Sequence, residues 1–305
     1  MIRILHFSDI HYLPHLGTLA LRDFFALRRI AGWLNYALFR RWRFAASDAI
    51  VDALAAWSAK EAFDANLFTG DATSLGTPGE IELARKKLDV FAHLPGGLLV
   101  IPGNHDRYVL DTSAGNRFDA TFSDLYRSDL PETQTDGHWP QVRLFGSSAA
   151  ILLLHGALPH RNILFSSGSI PEVQLAGLDA ALSHASLRNR TVLIAAHHGP
   201  FSSDGRHDSI FHGLDDSDAV FARLRRHPGA IFVHGHIHQR FYHPATNSHI
   251  PVFCAGSATF AGRESAWVFE IDHPTGNRAI PADFTSGGWV ARYENSVPLP
   301  CNTKL

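Results

Sequence analysis

The feature that most constrains this chain is a repeated one: short apolar runs, each leading into a cluster of Gly, Asp, Asn or His. Runs of strand type recur at 2–7, 67–69, 98–101, 142–145, 151–154, 192–196, 231–234 and 251–255. Five of them lead into Asp9-Ile10-His11, Gly70-Asp71, Gly103-Asn104-His105-Asp106, His197-His198-Gly199-Pro200 and Gly235-His236-Ile237-His238. Helical patterns lie between several runs. One at 47–62 begins with a Ser or Asp cap, one at 79–91 has apolar residues at helical spacing, and one at 171–185 opens on Pro171. Alternating strands and helices predict a layered α/β architecture with its site on the loops after the strands. Some neighbouring strands are joined too briefly for a helix, so mixed sheets are expected.

No repeat, low-complexity tract or linker divides the 305 residues. A single domain is expected, with an insertion at about 12–44 and a tail from about 273 that reads as a peripheral wrap. With 45% hydrophobic and 18% charged residues the chain has the balance of a soluble globular protein. A net charge of -2 and the lack of an extended basic segment give no reason to expect nucleic acid as a partner. Cys254 and Cys301 stand far apart, without metal or redox spacing, which suits a reducing compartment. The apolar run beginning at Ile2 leaves no room for a signal peptide, and the most apolar segment, 19–39, is broken by Arg22, Asp23, Arg28 and Arg29. A cytoplasmic protein is therefore expected.

Twenty histidines are many for this length, and their placement carries the chemistry. Asp9 and His11, two residues apart, would point the same way on an extended segment and could grip one ion. Taken singly, each cluster has a bland reading. Asp-x-His can be a solvated turn, Asn104 can simply tolerate a left-handed backbone, and His-x-His can be two exposed imidazoles. Five such clusters in one order at five strand ends favour a shared metal centre.

The ordered set D-x-H, G-D, G-N-H-D, H and G-H-x-H resembles that of the calcineurin-like metallophosphoesterases, from about residue 1 to 258. The resemblance implies a four-layer α-β-β-α sandwich of two mixed β-sheets flanked by helices. It also implies two divalent ions, one between Asp9, His11, Asp71 and His238, the other between Asp71, Asn104, His197 and His236, with Asp71 bridging. Hydrolysis of a phosphodiester or pyrophosphate would follow in-line attack by a hydroxide shared between the ions. His105 would be a protonated acid facing the leaving group, and Asp106 would orient it or hold it charged. The mixed N and O donors suit Mn, Fe or Zn better than Ca, and manganese is the working choice.

The insertion bears on substrate. Between residues 12 and 44 it interleaves Leu19, Leu21, Phe24, Phe25, Ile30, Trp33, Leu34, Leu38, Phe39 and Trp42 with Arg22, Arg28, Arg29, Arg40, Arg41 and Arg43. One reading is a helical cap packed on the core with snorkelling arginines. The other is an amphipathic lid, lying on a membrane surface through about 19–43 and accepting an acylated phosphate, with His198, Arg28 and Arg29 as substrate contacts. In this the chain resembles the lipid A pathway pyrophosphatases that cleave UDP-2,3-diacylglucosamine, although their common branch has Arg where His105 stands. A cyclic-nucleotide phosphodiesterase is the nearest alternative, and a catalytically silent metal-binding scaffold is the alternative from another class.

Overall fold

In this computed structural model the described residues are 1–12, 27–108, 117–160, 165–247, 249–272 and 276–300. The first sheet grows outward from β1 (Ile2–Phe7), whose apolar run takes parallel neighbours in β2 (Ala65–Phe68) and β3 (Leu98–Val100). On its other side β1 pairs antiparallel with β10 (Ser265–Ile271), which continues to β11 (Arg278–Thr285) and β12 (Gly288–Ala291), while β13 (Val297–Pro298) adds to β11. The second sheet runs in the order β4 (Gln141–Phe145), β5 (Ala149–Leu153), β6 (Thr191–Ala195), β7 (Ala230–His234), β9 (Val252–Cys254) and β8 (Phe241–His243). Its four middle strands are parallel and its two edges antiparallel. Both sheets are mixed, as the short connections predicted.

The layering follows from two-residue periodicity on strands buried on both faces. Ile151, Leu153, Leu193, Ala195, Ile231 and Val233 join the core shared with the first sheet. The alternate residues, among them Leu152, Val192, Ile194 and Phe232, turn outward to α4 (Glu172–Ser183) and α5 (Ser217–Leu224), forming a second core with Leu178 and Leu224. On the first sheet α2 (Ser47–Glu61) and α3 (Pro78–Ala92) bury Ile50, Leu54, Ile81 and Leu88. Each fully buried Leu or Ile of this kind stabilises the fold by roughly 1.5–3 kcal/mol.

One departure from the sequence expectations concerns the tail. The stretch expected to wrap the periphery instead supplies β11 to β13, with Ala279, Ile280 and Ala282 buried. Pro281, which argues against a strand in a sequence, sits opposite Trp267 in the ladder. In the insertion, α1 (Leu27–Asn35) passes into a π-helical turn over Tyr36–Arg40 and then a turn reaching α2. Leu19, Leu21, Arg22, Phe24 and Phe25 lie outside the described residues.

Between the sheets, His6 is fully buried and its Nε2 lies 3.0 Å from Thr69 Oγ1. Burial, with His234 nearby, pushes its pKa down to about 3. The unfolded chain therefore binds a proton that the fold refuses: stability present above pH 6.5 is lost as pH falls from 6.5 toward 3. Urea unfolding at pH 7, 5 and 4 should show this slope shallower in His6→Gln than in wild type, and equal slopes would refute the assignment.

Candidate metal centre

The five clusters converge at one lip of the sandwich. Asp9 and His11 follow β1, Asp71 follows β2, and Asn104 follows β3. His197 follows β6, and His236 and His238 follow β7. Asp9 and His11 come together by a turn, not by strand pleat: both lie beyond the end of β1 with φ of 54° and 49°. Asp71, His236 and His238 are also left-handed, at 59°, 71° and 55°. Such φ values are strained for residues with a Cβ and gather where function over-determines the backbone. The glycines of the motifs keep these turns close. A Cβ on Gly103 would strike Asp71, and one on Gly235 would strike Ser8 and Asp9.

Backbone carbonyls orient the imidazoles. His11 Nδ1 donates to Thr73 O at 3.0 Å and His197 Nδ1 to Thr69 O at 2.7 Å, so each Nε2 lone pair is aimed inward. Asp71 Oδ2 stands between them, 3.7 Å from His11 Nε2 and 3.4 Å from His197 Nε2, the position a bridging carboxylate needs. On the first side His238 Nε2 is 3.0 Å from Asp9 Oδ1 and 2.9 Å from His11 Nε2. On the second, Asn104 Oδ1 is 3.1 Å from His197 Nε2. Asp9 Oδ2 and Asp71 Oδ1 accept from the amides of His236 and His105, at 2.9 and 2.7 Å.

The chemistry of these donors fits divalent cations. Asp9, His11, Asp71 and His238 form one group and His197, His198 and His236 another, the ligand atoms of each lying within 4.8 Å of one another. His236 Nε2, in the second group, is buried with no hydrogen-bond partner, a costly state that a cation relieves. Burial alone would raise both carboxylates, yet His11 and His238 hold Asp9, and His197 and His105 hold Asp71, well below the usual range. Burial likewise would lower His197, but the Asp71 carboxylate raises it to about 9. The site thus presents two anions and inward-facing nitrogens.

Several expected roles change on contact with the structure. His198, expected to touch substrate, is buried among the histidines, its Nε2 donating to Ser166 O at 2.7 Å. Asp106 does not reach the His105 imidazole. Its carboxylate accepts from the amides of Gly103, Asp71, Ala72 and Thr73 at 2.9, 2.8, 3.3 and 2.9 Å and knits two motif loops together. Burial and Asp71 push it up to about 7. His105 donates from Nδ1 to Ser74 O at 2.6 Å and accepts at Nε2 from Arg40 at 3.1 Å. Burial, helped by Arg40 and His11, holds it well below its usual pKa. Arg29 is buried and donates to Gly76 O at 3.1 Å, fastening α1 to the loop after Asp71. It is not part of the cleft wall. The side chain of Arg28 lies outside the described residues.

Arg40 was not singled out from sequence, because six arginines of the insertion look alike until the fold places one beside His105. It lines a cleft of about 160 Å³ with Tyr36, Ser74, Asn104, His105 and Tyr108.

Two mixed sheets carrying a two-sided cluster of carboxylate, imidazole and amide donors define a metallophosphoesterase. Residues 2–240 match the calcineurin-like phosphoesterase family, and the chain belongs to that family. Among solved structures, a dimetal phosphatase from Danio rerio aligns over 92% of this chain and 95% of its own, at TM-score 0.64 and 14% identity. GAP50, described as the anchor in the inner membrane complex of Plasmodium, aligns over 99% and 90%, at TM-score 0.55 and 12% identity. The yellow lupin purple acid phosphatase PPD1 aligns over 92% of this chain and 49% of its own, at TM-score 0.52 and 13% identity. A search of curated protein sequences found no match.

Asp106 gives a test of the local architecture. Asp106→Ala leaves four backbone donors without an acceptor and should cost on the order of 3 kcal/mol. His105→Ala should cost about 1 kcal/mol. Thermal unfolding of the two variants checks the order, and equal losses would contradict it.

Proposed function

We propose that the protein hydrolyses a phosphodiester or pyrophosphate that carries an acyl chain, at two divalent ions, with manganese as the working choice. One ion is held by Asp9, His11, Asp71 and His238, the other by Asp71, Asn104, His197 and His236, with His198 beside it. The observation that carries the reading is Asp71 Oδ2 between His11 Nε2 and His197 Nε2, where one carboxylate serves both sides. When bound, such a pair supplies water activation at neutral pH and charge neutralisation for the phosphoryl oxygens. The chain's own part is to fix geometry. Thr69 and Thr73 carbonyls hold the imidazole tautomers, Asp106 pins the loops, and His105 and Arg40 form the wall toward the leaving group.

The insertion supports a lipid-bearing substrate. Leu34, Leu38, Phe39 and Trp42 are exposed, Trp42 at 72%, on the same segment whose Tyr36 and Arg40 line the cleft. Arg41 and Arg43 are exposed beside Trp42, giving cations for anionic head groups. This arrangement favours the lid over a core cap, and a membrane surface as partner. No helix among the described residues is long and apolar enough to cross a membrane, so the contact is peripheral.

Asp71→Asn should lower hydrolysis of an aryl phosphodiester at least about 100-fold and reduce bound metal, measured by elemental analysis. Retained rate and metal would refute the two-ion assignment. The triple variant Leu38→Ser, Phe39→Ser, Trp42→Ser should weaken sedimentation with anionic vesicles more than about tenfold, since each side chain contributes roughly 1.5–3 kcal/mol on burial. Unchanged sedimentation would return the helix to a packing role.

A further inference from the structure

Two arginines beside the metal centre carry charge that the fold does not use. Arg43, at the end of the insertion, and Arg263, on the loop before β10, stand at the same ring, their guanidiniums 5.3 and 5.7 Å from the Phe260 centroid. Both are exposed, and neither side chain has an ion pair or hydrogen bond among the described residues. An aromatic face attracts an exposed cation by about 0.5–1 kcal/mol but does not neutralise it. Two like charges at one ring repel each other, so the pairing by itself stabilises nothing. Arg40, also near an aromatic ring, differs in being engaged by His105.

Main chain nevertheless holds the pair together. Ala261 N donates to Arg43 O at 2.8 Å, and Arg263 N to Phe260 O at 2.8 Å. The same loop is tied to the first metal motif, where Ser257 Oγ donates to Asp9 O and Thr259 Oγ1 to Ile10 O, each at 2.6 Å. Segments far apart in sequence thus set both arginines in fixed relation to Asp9. Rings complete the link: Phe260 lies 5.5 Å from Phe44 and 6.0 Å from His238, and Phe44 lies 4.8 Å from His11, centroid to centroid. The pair therefore stands one ring beyond the first metal group. Gln239, which follows His238, and Arg263 both line a cavity of about 540 Å³, so open space runs from the ligand loop to the arginines. Arg240 and Arg263 balance Glu264 and Asp283 on its wall, which raises no net charge against an anion.

We propose that Arg43 and Arg263 form a subsite for a phosphate monoester carried by the substrate, separate from the phosphorus attacked at the metal centre. The assignment rests on the phosphoester hydrolase reading above and adds a second recognition element to it. A phosphate monoester matches the pair because it carries close to two negative charges at neutral pH and three terminal oxygens, enough for two planar guanidinium forks at once. A carboxylate offers one charge and two oxygens. Phe260 adds a positive ring edge for the anion while its face keeps the cations near. In this assignment Arg43 serves the substrate, and Arg41 remains for the bilayer. The held phosphate leaves unchanged, and only the other phosphorus reacts.

The test follows p-nitrophenol release by manganese-loaded protein from two aryl diesters, p-nitrophenyl hexyl phosphate and the same compound with a phosphonate at the end of its hexyl arm. The phosphonate stands in for the monoester and cannot itself be hydrolysed. Wild type should favour the phosphonate arm about ten-fold or more in kcat/KM, with the gain in KM. Arg43→Gln and Arg263→Gln should each lose most of that preference, while Arg43→Lys and Arg263→Lys, which keep the charge without the fork, should retain part of it. No preference in wild type, equal losses on both diesters, or a preference that survives the double variant Arg43→Gln, Arg263→Gln would overturn the subsite and leave the hydrolase reading intact. If that double variant keeps the preference but no longer sediments with phosphatidylglycerol vesicles, the pair belongs to lipid head groups instead. Wild type that cleaves neither diester would overturn the hydrolase reading and the subsite with it.

Discussion

Two carboxylates, Asp9 and Asp71, are almost completely removed from water at the lip of the sandwich, and the rest of the site is arranged around that fact. An isolated anion in such a place would cost several kcal/mol. The fold answers with backbone amides, at His236 and His105, and with imidazoles from both sheets. His236 Nε2, within the cluster, remains buried without a hydrogen-bond partner. Charge, geometry and the orphaned nitrogen therefore ask for the same ligand, and the family to which the chain belongs is one whose chemistry uses it.

The architecture makes this economical. Parallel strands of both sheets end at the same lip, so loops that share no sequence neighbourhood become spatial neighbours. The strain is concentrated there too: five of the seven non-glycine residues with positive φ among the described residues are candidate ligands. Left-handed backbone at Asp9, His11, Asp71, His236 and His238 turns each side chain back over its own strand end. The hydrogen bonds of Asp106 to four amides hold the Asp71 loop in that shape and tie it to the loop of Asn104. The same carboxylate that looked like a partner for His105 is thus spent on backbone.

What the sequence disclosed was the part written in short-range pattern. The strands leading to Asp9, Asp71, Asn104, His197 and His236 were legible because each is an apolar run stopped by a polar cluster. The final strands were not. β11 contains Pro281 and polar ends, and the pairing that makes it a strand comes from Trp267 and its neighbours on β10. The left-handed conformations were hidden for a different reason, since Asp and His give no local signal of the kind glycine does. Arg40 was hidden by its own surroundings, one of several arginines whose difference is wholly a matter of which way the π-helical turn sends them.

Four of the seven candidate ligands hang from one sheet and three from the other. Asp9, His11, Asp71 and Asn104 belong to the first; His197, His236 and His238 belong to the second. Elsewhere the sheets are joined mainly by apolar contact, with a few hydrogen bonds such as Trp267 Nε1 to Cys254 O at 2.9 Å. Ions seated at the lip would act as rivets through both plates, and their binding energy would count toward the folded state. On this view the active site is also the clasp of the sandwich. Metal loading would then fix the registry of one sheet against the other before any substrate arrives.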